Sequence, residues 1–484
     1  MVDRSAAIFW TLIVYKLVMI AIGIAAERMA KDDSDYFVGG RNLGPGVAAL
    51  SASASSSSVW TLIGVTGYAY AHGLAALWLF PACVGGFALN WFWLAPALRR
   101  AAHEQRAVTV TDLLAGPRPR GGQGQGSRRA VVVVASLIVL VCLVTYVAAQ
   151  FQGAGKAFAE TFELEFSTAL LLGAAIVVFY TLLGGFWAVS LTDTLQGLMM
   201  AFAALLLPIV ALIAVGPGDL WAELSGVEGG VGAALTKGAS GAAAIGFVLG
   251  LLGIGLGYPG QPHVVNRLMA LRDADAVRTG RRIAMAWAVV LYAGMLVLGW
   301  SARLLLPELA SHEDAFVAST EQLLHPVLAG IMIAALLSAI MSTADSQLLV
   351  AAATVSHDLI GGGQSDAGAD QKTSSLMRSR LTVLALAAGA VVVALFVDET
   401  IFSSVLFAWT AMGSAFGPVL LVTVLYRRPS TGGVLAAMLV GFSLAVIAHW
   451  IPSAKGGVLE RIVPFVAALT LSWWSARRTE IIAR

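Results

Sequence analysis

An all-α polytopic membrane protein is predicted by three properties of the sequence. Hydrophobic side chains make up 58% of the 484 residues and charged ones only 12%, half the roughly 25% usual in soluble domains, and the mean hydropathy is +0.83. The apolar residues fall in runs long enough to cross about 30 Å of hydrocarbon at about 1.5 Å per residue. Lys and Arg, finally, collect in alternate connections between those runs, the pattern that orients helices in a bilayer. The net charge of +2 therefore says little about partners. Cys83 and Cys142 both lie in apolar runs, so neither a disulfide framework nor a metal cluster is indicated.

About thirteen transmembrane helices are expected, at 6–26, 44–72, 74–98, 130–158, 167–185, 187–214, 240–262, 280–306, 326–357, 379–397, 400–426, 431–451 and 457–476. The first run is longer than the 7–15 residues of a secretory signal core and lacks a strongly basic start, so it reads as a true span. The connections 27–43, 99–129, 267–282, 372–380 and 427–428, with the tail 477–484, hold 23 of the 30 Lys and Arg residues. The opposite side holds Arg4, Lys237, Arg303, Lys455 and Arg461. This asymmetry places the N-terminus outside and the C-terminus in the cytoplasm. The basic stretch "GPRPRGGQGQGSRR" is read as a flexible cytoplasmic connection.

Two segments differ from the rest. The second expected helix contains "ALSASASSSSVWT", with six serines in eight positions, followed by Gly64 and Gly67. The seventh reads "GFVLGLLGIGLGYPGQPH". Glycine and proline at this density weaken a helix, and unwound backbone at membrane depth is tolerated only where protein or a water-filled cavity surrounds it. Small residues also favour close helix packing, which alone could explain either segment. Their spacing, five helices apart, is instead the signature of an inverted-repeat transporter with its site near the midplane.

Acids at membrane depth cost on the order of 3 kcal/mol on insertion scales and need a reason. Asp193 and Asp345 stand out. Ser342, Asp345 and Ser346 are spaced i, i+3 and i+4 and are expected to share a face, with Ala339 and Thr343 one step round. A hard monovalent cation needs several oxygen ligands, and carbonyls freed by an unwound turn around Ala54–Ser57 would complete a shell begun by these hydroxyls. Glu223, Glu228 and Glu313 are read as solvated loop acids, and His263 as an interfacial residue at the cytoplasmic end of the seventh helix.

The chain resembles the sodium/solute symporter family, and within it the sodium/proline symporters. The resemblance is carried by "DYFVGGRNLGPGVAALSASAS", "TYVAAQFQGAGKAF", "TLLGGFWAVSLTDTLQGLMM", "GLGYPGQPHVVNRLMAL", "AIMSTADSQLL" and "AWTAMGSAFGPVLL", in order over positions 35–421. It implies a five-plus-five inverted-repeat core and sodium-driven alternating access. The repeats are expected at 44–214 and 240–428, after an extra helix and loop at 1–43 and before two C-terminal helices and a tail at 429–484. The common sodium site of the family carries over to Ala54, Ser57, Ala339, Ser342 and Thr343, and a second site found in some members to Asp193, Ser342, Asp345 and Ser346. Substrate contacts carry over to Ser58, Tyr146, Gln150, Ile254 and Tyr258. Two positions depart from the proline members: Ile254 replaces a tryptophan, and Ser56 replaces an acid.

The resemblance thus implies a symporter importing a small solute, proline first among them, with pantothenate or another amino or carboxylic acid as the alternative. A symporter-like nutrient sensor is a reading of another class, and the lack of a kinase-like extension after Arg484 counts against a fused one. A membrane-embedded enzyme would need a nucleophile or metal beside Asp193 and Asp345, and no intramembrane His or Cys is placed there. Expected partners are the solute, sodium and the lipid bilayer of the cytoplasmic membrane. No nucleic acid and no cofactor other than the coupling ion are expected, and the chain is expected to act as a monomer.

Overall fold

The computed structural model describes residues 4–27, 43–117, 125–183, 186–225, 234–360, 369–397 and 399–483. Helices carry all of the described spans, as lipid requires, since a helix satisfies its own amides and carbonyls where no water can. In chain order they are α1 (Arg4–Glu27), α2 (Pro45–Ser56), α3 (Thr66–His72), α4 (Leu79–Ala88), α5 (Ala95–Gln105), α6 (Val110–Ala115), α7 (Gln125–Phe162), α8 (Phe166–Leu183), α9 (Phe186–Val215), α10 (Pro217–Ser225), α11 (Gly241–Leu252), α12 (Pro262–Met269), α13 (Ala274–Leu305), α14 (Ala315–Leu323), α15 (Pro326–Ala353), α16 (Ala369–Phe396), α17 (Ile401–Leu425), α18 (Thr431–His449), α19 (Val458–Arg461) and α20 (Val463–Ala483). Short 3-10 or π turns join several of them, including Trp60–Val65, Gly73–Trp78, Leu89–Leu94, Gly253–Gly260 and Thr354–Ile360.

Ten of the described helical stretches are long and apolar enough to cross a membrane. The difference from thirteen has physical causes. Helix α2 stops after 12 residues, Trp60–Gln105 runs on through π turns as one 46-residue stretch, and the apolar part of α8 is only 17 residues long. Helix α20 ends on charged residues.

Burial sorts the helices into centre and periphery. In α15 and α17 over four-fifths of the spanning window is buried, against about a fifth in α1. Helix α1 shows why: Ile8, Leu12, Tyr15 and Met19 recur at helical spacing and are buried, while Phe9, Trp10, Val14, Leu17 and Val18 are left for lipid.

Both expected interruptions are present. Helix α2 ends at Ser56, Ser57 leaves the helical region (φ −119°, ψ 73°), and the chain becomes helical again from Val59. The second break begins with the 3-10 stretch Gly253–Gly260 and is completed by Gln261 in an extended conformation, before α12 begins at Pro262. Leu43 and Leu271 pair backbone to backbone, tying the entry of α2 to the exit of α12. The 3-10 stretch lies so close to α17 that a methyl on Gly413 would fall 2.5 Å from the Gly257 Cα, and one on Gly260 2.6 Å from the Gly413 Cα. Nothing larger than hydrogen fits there.

Candidate functional site

Five of the six serines divide among four roles, and the sixth, Ser53, has no hydrogen-bond partner for its hydroxyl among the described residues. Ser51 and Ser55 donate to the Asp193 carboxylate at 2.7 and 3.2 Å. Ser56 bonds back to the Ser53 carbonyl at 2.9 Å, which loosens the last turn of α2. Ser57 meets the Tyr292 hydroxyl at 3.4 Å, and Ser58 accepts from Tyr146 at 3.4 Å and from the Trp60 amide at 3.2 Å. The Val59 amide, which the break leaves without a helical partner, donates to Gln150 Oε1 at 3.2 Å.

Carbonyls freed at the other break are also met by side chains. Gln261 Nε2 donates to the Gly257 and Trp409 carbonyls at 3.0 and 2.9 Å, Asn90 to that of Tyr258 at 3.2 Å, and Trp409 Nε1 to that of Ile254 at 3.1 Å. Between the breaks the aromatic groups converge. The Tyr258 ring stands edge-on to Trp409 at 4.7 Å, Tyr146 edge-on to the same indole at 6.5 Å, and the Tyr258 and Tyr292 hydroxyls lie 2.8 Å apart. All five expected substrate residues, Ser58, Tyr146, Gln150, Ile254 and Tyr258, therefore border this one region.

The residues of the expected common sodium site are also brought together. Ser342 Oγ reaches the Ala54 carbonyl at 3.3 Å and the Ala339 carbonyl at 3.2 Å, and Thr343 Oγ1 reaches the Ser55 carbonyl at 3.2 Å. Two hydroxyls of α15 thus face the weakened end of α2, with carbonyl oxygens of both helices around them. That is a set of hard oxygens suited to a small cation.

The four residues of the second site divide. Asp193 sits with Ser51, Ser55 and Ser346, but its charge is met by Arg267, whose Nη2 lies 2.8 Å from Oδ2 with both side chains at most 1% exposed. Ser346 Oγ bonds to the Ser342 carbonyl at 2.6 Å and receives Arg267 as well. Asp345 is turned away from this group and accepts from Thr181 on α8. The one-face reading of Ser342, Asp345 and Ser346 fails for Asp345, because neighbours on a helix point about 100° apart and the tightly packed α15 sends Ser346 toward α2 and Asp345 toward α8.

Several other readings are corrected. Arg267, counted among the charges of a cytoplasmic loop, is buried on α12. His263 is fully buried one turn earlier, edge-on to Tyr146 at 5.9 Å. Glu313 is also buried; it pairs with Lys156 at 2.6 Å and accepts from the Phe402 amide at the start of α17 at 3.0 Å. Phe402 in turn stacks on Tyr68 at 4.6 Å. Glu223 pairs with Arg303 at 3.4 Å, and Glu228 lies outside the described residues.

The lysines of spans α1 and α7, Lys16 and Lys156, fall in neither of the charge sets used for orientation. Both were visible as single charges in apolar or small-residue runs. A cluster of Asp112, His357 and Asp358 lies away from this site, where Arg128 and Thr109 bind it.

A membrane bundle with two broken helices and polar groups gathered at both breaks has the architecture of a transporter of the inverted-repeat type. The profile of the sodium:solute symporter family matches residues 36–441. The chain is 36% identical over 476 residues to the "Osmoregulated proline transporter OpuE" of Bacillus subtilis (strain 168), covering 96% of this chain and 93% of that one. It is 33% identical to the "Sodium/proline symporter" of Escherichia coli (strain K12), covering 96% and 91%. The chain belongs to the sodium:solute symporter family.

Among solved structures, a Na+-coupled sialic acid symporter in a substrate-bound outward-open state superposes with a TM-score of 0.79 at 15% identity, covering 98% of each chain. A nucleobase-cation-symport-1 family transporter superposes with a TM-score of 0.59 at 13% identity, covering 93% of this chain and 96% of the other. Both likenesses are of fold.

Proposed function

We propose that the protein imports proline together with sodium by alternating access across the cytoplasmic membrane, with its N-terminus outside and its C-terminus in the cytoplasm, working as a monomer. The observation that carries this reading is the meeting of Ser342 and Thr343 with the Ala54, Ser55 and Ala339 carbonyls beside an aromatic enclosure at two helix breaks. The proline transporters among its relatives support the solute. In this reading sodium is held by the backbone oxygens of Ala54, Ser57 and Ala339 and the hydroxyls of Ser342 and Thr343. By holding the end of α2 against α15, the ion orders the break at which Ser58 and Gln150 meet the solute.

Proline is small, zwitterionic and half apolar. The Tyr146, Tyr258 and Trp409 rings offer it apolar faces and a negative quadrupole for its ammonium. Ile254 leaves one wall aliphatic. The repeats are assigned to 44–214 and 240–428, with 1–43 before them and 429–484 after.

Uptake of labelled proline into proteoliposomes tests the reading. An inward sodium gradient should drive accumulation, and a potassium gradient should not. Uptake of pantothenate or another carboxylate, with proline inert, would replace the solute and keep the mechanism.

Tyr146→Ala and Tyr258→Ala are each expected to weaken proline binding at least tenfold, equivalent to about 1.4 kcal/mol. Sodium binding without solute should change far less, as measured by the thermal stabilisation each ligand confers. Equal loss of both ligands would mean that the rings shape the bundle rather than the pocket.

A further inference from the structure

We propose that Lys16 is a resident counter-cation for Asp345, delivered by α1, so that the acid is balanced from within the chain and the protein couples one sodium ion rather than two. This rests on the sodium-coupled reading above. Asp345 is fully buried; one of its oxygens accepts from Thr181, and the other has no partner among the described residues. A carboxyl left so in low dielectric either keeps its proton or is held ionised by a positive charge nearby. Either a bound sodium or a side chain can supply it.

The geometry favours the side chain. Helix α1 packs along α15, held by the Tyr15 hydroxyl on Ser338 Oγ at 2.8 Å and by Gln196 reaching Tyr15 at 3.4 Å. On the next residue, the Lys16 ammonium rests against Met341 Sδ. Met341 is four residues before Asp345 and hence one turn away on the same face of α15. The flexible four-carbon stem of lysine gives the ammonium reach along this seam toward the acid. The other acid in reach, Asp193, is already bonded to Arg267.

A sodium ion beside Asp345 would find few oxygens. Ser342 Oγ is directed at the Ala54 carbonyl, and Ser346 Oγ is engaged with the Ser342 carbonyl and Arg267. A hard cation needs more than one carboxylate and one threonine. The two acids of the second site therefore each have a cationic side chain of their own.

Equilibrium binding of radioactive sodium to the purified full-length chain in detergent, without solute and at about pH 7, reads the number directly. The unaltered protein should bind one ion per chain, and so should Lys16→Arg, which keeps the charge. Lys16→Met should bind a second ion, and the pair Lys16→Met with Asp345→Asn should lose it again. Two ions on the unaltered chain would overturn the inference, as would a single ion on a Lys16→Met protein that melts like the parent. No bound sodium at all would overturn the sodium-coupled reading and this inference with it. The counts on the unaltered chain and on Lys16→Arg remain decisive if Lys16→Met fails to fold.

Discussion

Arg267→Ala is expected to destabilise the folded protein by about 3–5 kcal/mol, the usual loss when one member of a buried ion pair is removed. The guanidinium is 1% exposed and anchors four groups: Ser51 Oγ through Nε at 2.7 Å, Asp193 through Nη2 at 2.8 Å, and also Ser346 and the His263 carbonyl. Truncation leaves the Asp193 carboxylate in the bundle with Ser51, Ser55 and Ser346 for company. Hydroxyl donors do not replace a full charge. Asp193→Asn should do comparable damage by stranding the guanidinium. Arg267→Met combined with Asp193→Leu removes both charges and should recover much of the loss. The apparent melting temperature in detergent, compared among the parent, single and double variants, checks this. A double variant as unstable as Arg267→Ala would show that packing, not charge pairing, is what Arg267 contributes.

The second large effect is expected on α15. Changing Ser342 and Thr343 together to Ala removes both hydroxyls that reach the α2 carbonyls. The sodium concentration for half-maximal uptake should then rise at least tenfold, equivalent to about 1.4 kcal/mol. Backbone oxygens of Ala54, Ser57 and Ala339 would remain, so transport should persist at high sodium. A well-folded double variant with unchanged sodium dependence would remove these hydroxyls from the ion's shell.

The helical spans and both breaks were legible because their signals are local. Runs of apolar residues, six serines in eight positions and a glycine-rich stretch with a proline state their own consequences for a helix. The cluster of Ser342 and Thr343 with Ala54 was legible through the family motifs. Less visible was the pairing of charges. Arg267 follows a break by six residues and so looks like the start of a loop, yet the short α12 folds it back against α2. Glu313 lies in a polar "HED" group that reads as solvated, and only the long-range approach of Lys156 explains its burial. A single lysine in an apolar run, as Lys16 is, does not announce its partner in the sequence. For Asp345, spacing fixes the angle around the helix, but the neighbours decide which angle faces what.

The contact of Gly257 and Gly260 with Gly413 has a meaning for turnover. Most helix seams interlock through side chains, so displacement requires many rotamers to give way together and each crossing acts as a ratchet tooth. Here two backbones meet with only hydrogen between them, and Gln261 Nε2 on the Trp409 carbonyl at 2.9 Å and Trp409 Nε1 on the Ile254 carbonyl at 3.1 Å cross the same seam. Such a seam resists separation through its close atom contacts and resists sliding through those two bonds. The second break and α17 are thus expected to travel as one piece, much as a splined shaft turns with its hub.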